Sequence, residues 1–344
     1  EIPLRLVGSE MCIRDRLIGG KTMKKLLVIH TGGTISMSQD ASNKVVTNDD
    51  NPISKHQDII GQYARVEETH LFNVPSPHMT IEKVTQLQHK IIQCVEISEY
   101  DGYVITHGTD TLEETAFLLD LLLKIEEPVV ITGAMRSSNE IGSDGLYNFI
   151  SAIRVASSND ASGKGVMVVF NDEIHTARNV TKTHTSNINT FQSPNHGPLG
   201  VLTKDRVQFH HHPYRQSSFK MINHQLYVPL IKSYMGMGSD LLEFYANQGV
   251  DGIVVEALGQ GNLPTTCLHG LKQILDNYIP IVLVSRSFNG IVSPVYAYEG
   301  GGADLFEKGV IFSNGLNGPK ARLKLLVGLS QNMNHQKLKN YFEE

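Results

Sequence analysis

Hydrophobic residues in this chain fall into two kinds of pattern that alternate along its length. Short apolar runs, KKLLVIH (24–30), GYVITH (102–107), PVVIT (128–132) and GVMVVF (165–170), show no polar face. Runs of this kind belong to strands buried on both sides of a parallel sheet. Between them, apolar positions recur at helical spacing. Val84, Leu87, Ile91, Cys94 and Val95 mark one stripe of TIEKVTQLQHKIIQCVEI (80–97), with Thr80 placed to cap it. TLEETAFLLDLLLKI (111–125) and DGLYNFISAIRVA (144–156) follow the same period, the second starting at Asp144 after the loop SNEIGSDG. A β-α-β-α series predicts right-handed crossovers and helices on both faces of the sheet.

Around residues 204–231 the pattern loosens into a polar, histidine-rich stretch, and alternation then resumes with GIVVEAL (252–258), PIVLVS (280–285), GVIFS (309–313) and the helical PKARLKLLVGLSQN (319–332). At 344 residues the chain exceeds the size, about 250 to 300 residues, at which single cores stop growing. The expectation is an α/β protein with a large, doubly wound, mainly parallel-sheet N-terminal domain over 23–205, a linker over 206–231 and a smaller α/β C-terminal domain over 232–344.

Residues 1–22 stand apart. They carry no helical or strand period and no signal-peptide pattern, and SEMCIRDR resembles the translation of a sequencing-library adapter. Met23 is therefore the expected start, and Cys12 drops out of the argument. The formal charge of −5, with charges interspersed, leaves no basic face for nucleic acid or anionic lipid. Widely spaced Cys94 and Cys267 form no disulfide framework or CxxC pair, which fits a reducing cytoplasm, and Cys94 on its apolar stripe reads as a buried thiol. His210, His211 and His212 are adjacent in a geometry that does not converge on one metal.

Ligands of open parallel sheets bind beyond the carboxyl ends of the strands. After the first strand comes TGGTIS, with Thr34; after GYVI comes THGTDTLEETA, with Thr109 and Asp110; after GVMVVF comes NDEIHTARNVTKTHTSN, with Lys182. Each has a structural alternative. Asp110 and Glu113 fit a capping box, Gly32 and Gly33 a tight turn, and Lys182 a solvated surface charge. Together, two hydroxyls, a carboxylate and a lysine suit acyl transfer without histidine. A threonine hydroxyl needs a base, and a lysine serves only as the free amine, which burial favours and a neighbouring carboxylate opposes. The glycines beside Thr34 would let a substrate carbonyl approach backbone N–H groups.

TGGTIS, THGTDTLEETA, ITGAMRSSNEIGSDGLYN and VVFNDEIHTARNVTKTHTSN resemble, in order, signature segments of the bacterial-type L-asparaginases, and EALGQGNLP and NGPKARLKLL carry the resemblance through the small domain. The resemblance implies hydrolysis of L-asparagine to aspartate and ammonia through a threonine acyl-enzyme, without metal or cofactor. It implies Thr34 as nucleophile and Thr109, Asp110 and Lys182 as the accompanying triad. Asp110 would also hold the substrate α-ammonium and Ser76 the α-carboxylate, while Gln260 would reach a neighbouring subunit's site in a homotetramer built as a dimer of dimers. The chain departs from the pattern in three places. Residues 35–56 lack a tyrosine, Pro77 stands where a substrate-contacting glutamine is common, and only Glu299 offers itself as the acidic residue from a partner. The alternatives are a mixed glutaminase-asparaginase, the asparaginase-like subunit of a tRNA-dependent amidotransferase, which would need an extra N-terminal domain ahead of the first strand, and a non-catalytic protein that binds small amino acids.

Overall fold

The computed structural model describes residues 23–40, 42, 44–47, 56–313 and 315–344; the leader, with Cys12, lies outside the described residues. Strands in the first part of the chain are β1 (Lys25–His30), β2 (Met37–Gln39), β3 (Val45–Thr47), β4 (Arg65–His70), β5 (Gly102–Thr106) and β6 (Val129–Thr132). They continue with β7 (Val166–Phe170), β8 (Glu173–Thr176), β9 (Thr181–Lys182), β10 (Phe191–Gln192), β11 (Gly200–Leu202) and β12 (Val207–Phe209). Eight of these form one sheet in the order β12-β11-β8-β7-β6-β5-β1-β4. The β7-β6-β5-β1-β4 block is parallel, and β8, β11 and β12 add antiparallel.

The expected strands are buried on both faces because successive side chains point to opposite sides. Leu27, Ile29, Tyr103, Ile105, Val129 and Ile131 face one core with helices α1 (Ile81–Glu96) and α2 (Leu112–Leu122). Leu26, Val28, Val104 and Val130 face the other, against Phe149, Ala152 and Ile153 of α3 (Gly145–Ala156). Thr80 caps α1 as expected, accepting from Lys83 N at 3.3 Å. Cys94 is buried on the α1 stripe, and burial raises its thiol pKa.

The second sheet is all parallel, in the order β13 (Leu230–Lys232), β14 (Ile253–Ala257), β15 (Ile281–Ser285), β16 (Ile311–Phe312). Helices α4 (Asp240–Gln248) and α5 (Leu268–Asp276) cover one face, and the short α6 (Gly302–Glu307) adds Leu305 to the same core. On the other face α7 (Gly318–Ser330) and α8 (His335–Glu343) join Val254, Val282 and Ile311 to the core of the large sheet. Between β12 and β13, residues 210–229 form neither helix nor strand. The stretch 206–231 also contributes β12 at one sheet edge and opens β13, strands too short to show a period in sequence.

Candidate active site

Three neighbouring parallel strands deliver the candidate residues to one edge of the sheet. His30 at the end of β1 is in register with His70 of β4 and Thr106 of β5. The chain leaves β1 through Thr31, whose hydroxyl donates to Thr106 O at 2.8 Å, and reaches Thr34 in a single turn of 3-10 helix over Thr34–Ser36. It leaves β5 through His107 and Gly108 to reach Thr109 and Asp110. It leaves β4 toward Ser76, which opens a similar turn over Ser76–His78.

The glycines hold these loops together. Gly32 and Gly33 have φ of 104° and 88°, a region side chains rarely adopt. A β-carbon on Gly32 would lie 2.5 Å from the backbone of Val74, and one on Gly108 would lie 2.7 Å from the Ser76 side chain. The missing side chains of these glycines let three loops touch.

Ser76 is buried and locked on both sides. Its Oγ accepts from Asp110 N at 3.1 Å, and its carbonyl accepts from the Thr111 hydroxyl at 2.7 Å. His107 is fully buried beneath the turn. Its Nδ1 lies 2.8 Å from Gly108 O, which can only accept, so Nδ1 carries the proton and Nε2, 3.0 Å away, accepts from Thr115 Oγ1. Burial lowers its pKa to about 4, so the ring is neutral at physiological pH.

Lys182 arrives from further along the chain, on β9, which pairs antiparallel with β10 through Lys182↔Phe191. Its Nζ lies 3.0 Å from Thr109 Oγ1 and 2.7 Å from Asp110 Oδ1. The lysine side chain is 16% exposed and the aspartate 59%. Lys182 is thus turned inward, and Asp110 stands open to a ligand. The capping box expected for Asp110 and Glu113 is absent. Thr111 occupies the N-cap of α2 without a side-chain cap bond, while the Asp110 carboxylate is committed to Lys182. Glu113 turns to the small domain instead, bonding Asn317 Nδ2 at 3.1 Å.

Thr34, Thr109, Asp110, Lys182 and Ser76 are therefore brought to one edge of the large sheet. Gln260 is not part of that group. It lies exposed beyond β14, where its carbonyl accepts from Ser293 N at 2.8 Å, and Glu299 is likewise exposed.

Residues 25–215 match the asparaginase N-terminal domain, and residues 227–342 match the glutaminase/asparaginase C-terminal domain. The chain belongs to the asparaginase family. An L-asparaginase of Bacillus licheniformis is 35% identical over 313 residues, spanning 89% of this chain and 96% of the relative. A "Probable L-asparaginase" of Deinococcus radiodurans is 37% identical over 329 residues, 94% of this chain and 98% of the relative. Among solved structures, a "Probable Cytoplasmic L-asparaginase" of Campylobacter jejuni superposes with a TM-score of 0.80 at 31% identity, covering 93% of this chain and 99% of that one. Among the described residues, no helix of this asparaginase is long and apolar enough to cross a membrane.

Sequence reasoning missed two features beneath the asparaginase site. One is the neutral His107. The other is the pair Asn317 and Lys320, which touch the segments on either side of the Lys182–Asp110 contact. A signal for the second was available in NGPKARLKLL, where Lys320 and Lys324, four residues apart, lie on one side of the helix with Ala321, Leu325 and Leu326 as apolar sequence neighbours.

Proposed function

We propose that this protein hydrolyses L-asparagine to aspartate and ammonia through a threonine acyl-enzyme, with Thr34 as nucleophile. The observation that carries this reading is the Lys182 nitrogen set 3.0 Å from the Thr109 hydroxyl and 2.7 Å from Asp110. As a free amine, Lys182 donates to Asp110 and accepts a proton from Thr109, which takes one in turn from Thr34. The Thr34 oxygen then forms a bond to the carboxamide carbon. The proton passes back from Lys182 through the Thr109 hydroxyl to the departing nitrogen as the C–N bond breaks, and ammonia leaves. Water attacks the resulting ester by the reverse use of the relay, giving aspartate and free Thr34.

In this reading the exposed Asp110 carboxylate meets the substrate α-ammonium, and Ser76 meets the α-carboxylate. The remaining contact is the partner's. Gln260 would enter a neighbouring site in a cytoplasmic homotetramer built from dimers. Support comes from the C-terminal edge of the small sheet, where Tyr234, Met235, Phe288, Tyr296 and Tyr298 are exposed around the same edge as Gln260, Met235 at 92%.

Ammonia release from asparagine by the purified protein tests the activity, and Lys182→Met tests the relay. A folded Lys182→Met variant should lose turnover. One that keeps nearly full activity would remove Lys182 from the mechanism, and absence of ammonia release from the unaltered protein would point to a binding role.

A further inference from the structure

Lys182 and Asp110 are 72 positions apart in sequence, and each sits on a short piece of backbone outside the large sheet. Lys182 lies on the two-residue strand β9. Asp110 lies in the turn before α2. Their 2.7 Å contact depends on how these two pieces are held relative to each other.

The first turn of α7, in the small domain, touches both. Asn317 Nδ2 donates to Glu113 Oε2 at 3.1 Å and to Thr181 Oγ1 at 3.4 Å. Lys320 Nζ donates to the carbonyls of Val180 and of Arg178, the latter at 3.1 Å, and pairs with Glu113 Oε2 at 3.7 Å. Thr181 and Lys182 are successive strand residues, so their side chains point to opposite faces. One face of β9 is gripped by the small domain while the other presents Lys182 to Thr109. Glu113 lies three residues beyond Asp110, in the first turn of α2.

We propose that Asn317 and Lys320 are positioning residues that brace the Lys182 strand against the Asp110 helix and so fix the lysine–threonine separation. The inference rests on the reading of Lys182 as proton acceptor. The helix start is a rigid frame for this purpose. Asn317 caps α7 by accepting from Lys320 N at 3.1 Å, so its side chain is tied to the backbone that carries Lys320. The Lys320 side chain is 2% exposed and Glu113 13%, so water does not compete for these bonds. Burial also pushes the Lys320 ammonium down to about 8, with Glu113 opposing that shift, which makes its carbonyl and carboxylate partners necessary to keep it charged. Misplacement of a reacting group by about 1 Å can cost on the order of 100-fold in rate.

The test is steady-state kinetics on asparagine for Lys320→Met and Asn317→Ser, with thermal melting of each. Asn317→Ser retains an oxygen to cap α7 but loses the amide donor. Lys320→Met should lower kcat about 10- to 100-fold and Asn317→Ser about 3- to 10-fold, with KM changed less than about threefold in both. Folded variants with unaltered kcat, or with only KM raised, would overturn the brace. Loss of folding in both would assign the pair to stability alone and overturn it as well. Lys182→Met separates the layers. If it is inactive while both brace variants are fully active, only the brace fails; if it is active, the proton-relay reading fails first.

Discussion

Gly33 and Gly108 meet backbone to backbone, so that a β-carbon on Gly33 would lie 2.3 Å from Gly108 Cα. No side chain can retract from such a contact, because both partners are main chain. The two residues that follow are Thr34 and Thr109. Gly33→Ala should therefore separate the loops. It combines the overlap with a φ of 88°, and overpacking of this kind costs about 1 to 3 kcal/mol. The expected result is a lowered melting temperature and a fall of at least about 100-fold in kcat/KM. An active, fully stable variant would show that the loops yield freely.

Pro77 bears on which amide is cleaved. Asparagine and glutamine differ by one methylene, which a pocket typically discriminates by about 1 to 3 kcal/mol, or roughly 10- to 200-fold. Pro77 occupies the turn directly after Ser76, where it stiffens the backbone and offers no hydrogen-bonding arm. A preference for asparagine with weak glutaminase activity is expected, and Pro77→Gln should raise glutamine turnover relative to asparagine. Comparable kcat/KM for the two amides in an ammonia-coupled assay would contradict it.

His107 makes stability depend on pH in a defined window. Its pKa falls from 6.5 to about 4 on folding because burial opposes the charged ring. The unfolded chain thus binds a proton that the folded one refuses between those values. Stability contributed by the neutral ring is complete above about pH 6.5 and declines by about 3 kcal/mol as pH falls to about 4. Urea midpoints measured from pH 7 to pH 4 should show this fall, and His107→Gln should reduce it. Equal pH dependence in the two proteins would assign the fall to other groups.

Lys324 presents the opposite case to Lys320, one turn earlier. Its amine is buried without a hydrogen-bond partner, 4.5 Å from the Tyr341 ring centre, and burial lowers its pKa to about 7. The lysine penalises folding most below pH 7, and the penalty fades as pH rises toward 10.5. Lys324→Met should stabilise the protein by about 1 to 3 kcal/mol at pH 7, with a smaller gain at pH 9. A destabilised variant would show that the ring contact outweighs the buried charge.

The central strands β1, β5, β6 and β7 are legible in sequence because burial on both faces leaves an uninterrupted apolar run. Strand β4, RVEETH, is not, since it lies at the sheet edge with Arg65 and Glu67 exposed and Glu68 turned inward to the buried His30, and β8, β11 and β12 are too short to establish a period. Thr34, Thr109, Asp110 and Lys182 were readable as residues that follow strands. Glu113 was not, because its spacing from Asp110 satisfies a local rule while its actual partner, Asn317, lies 204 residues away. Local patterns carry no trace of a contact made at that separation.

Leu27 and Ile29 of the large sheet share one apolar core with Val254, Val282 and Ile311 of the small one, joined through α2 and α7. Two sheets would ordinarily suggest two units that melt separately. Here neither can lose its interior without exposing the other's, so heating should produce a single endotherm rather than two. The chain has two architectures and one cooperative fate.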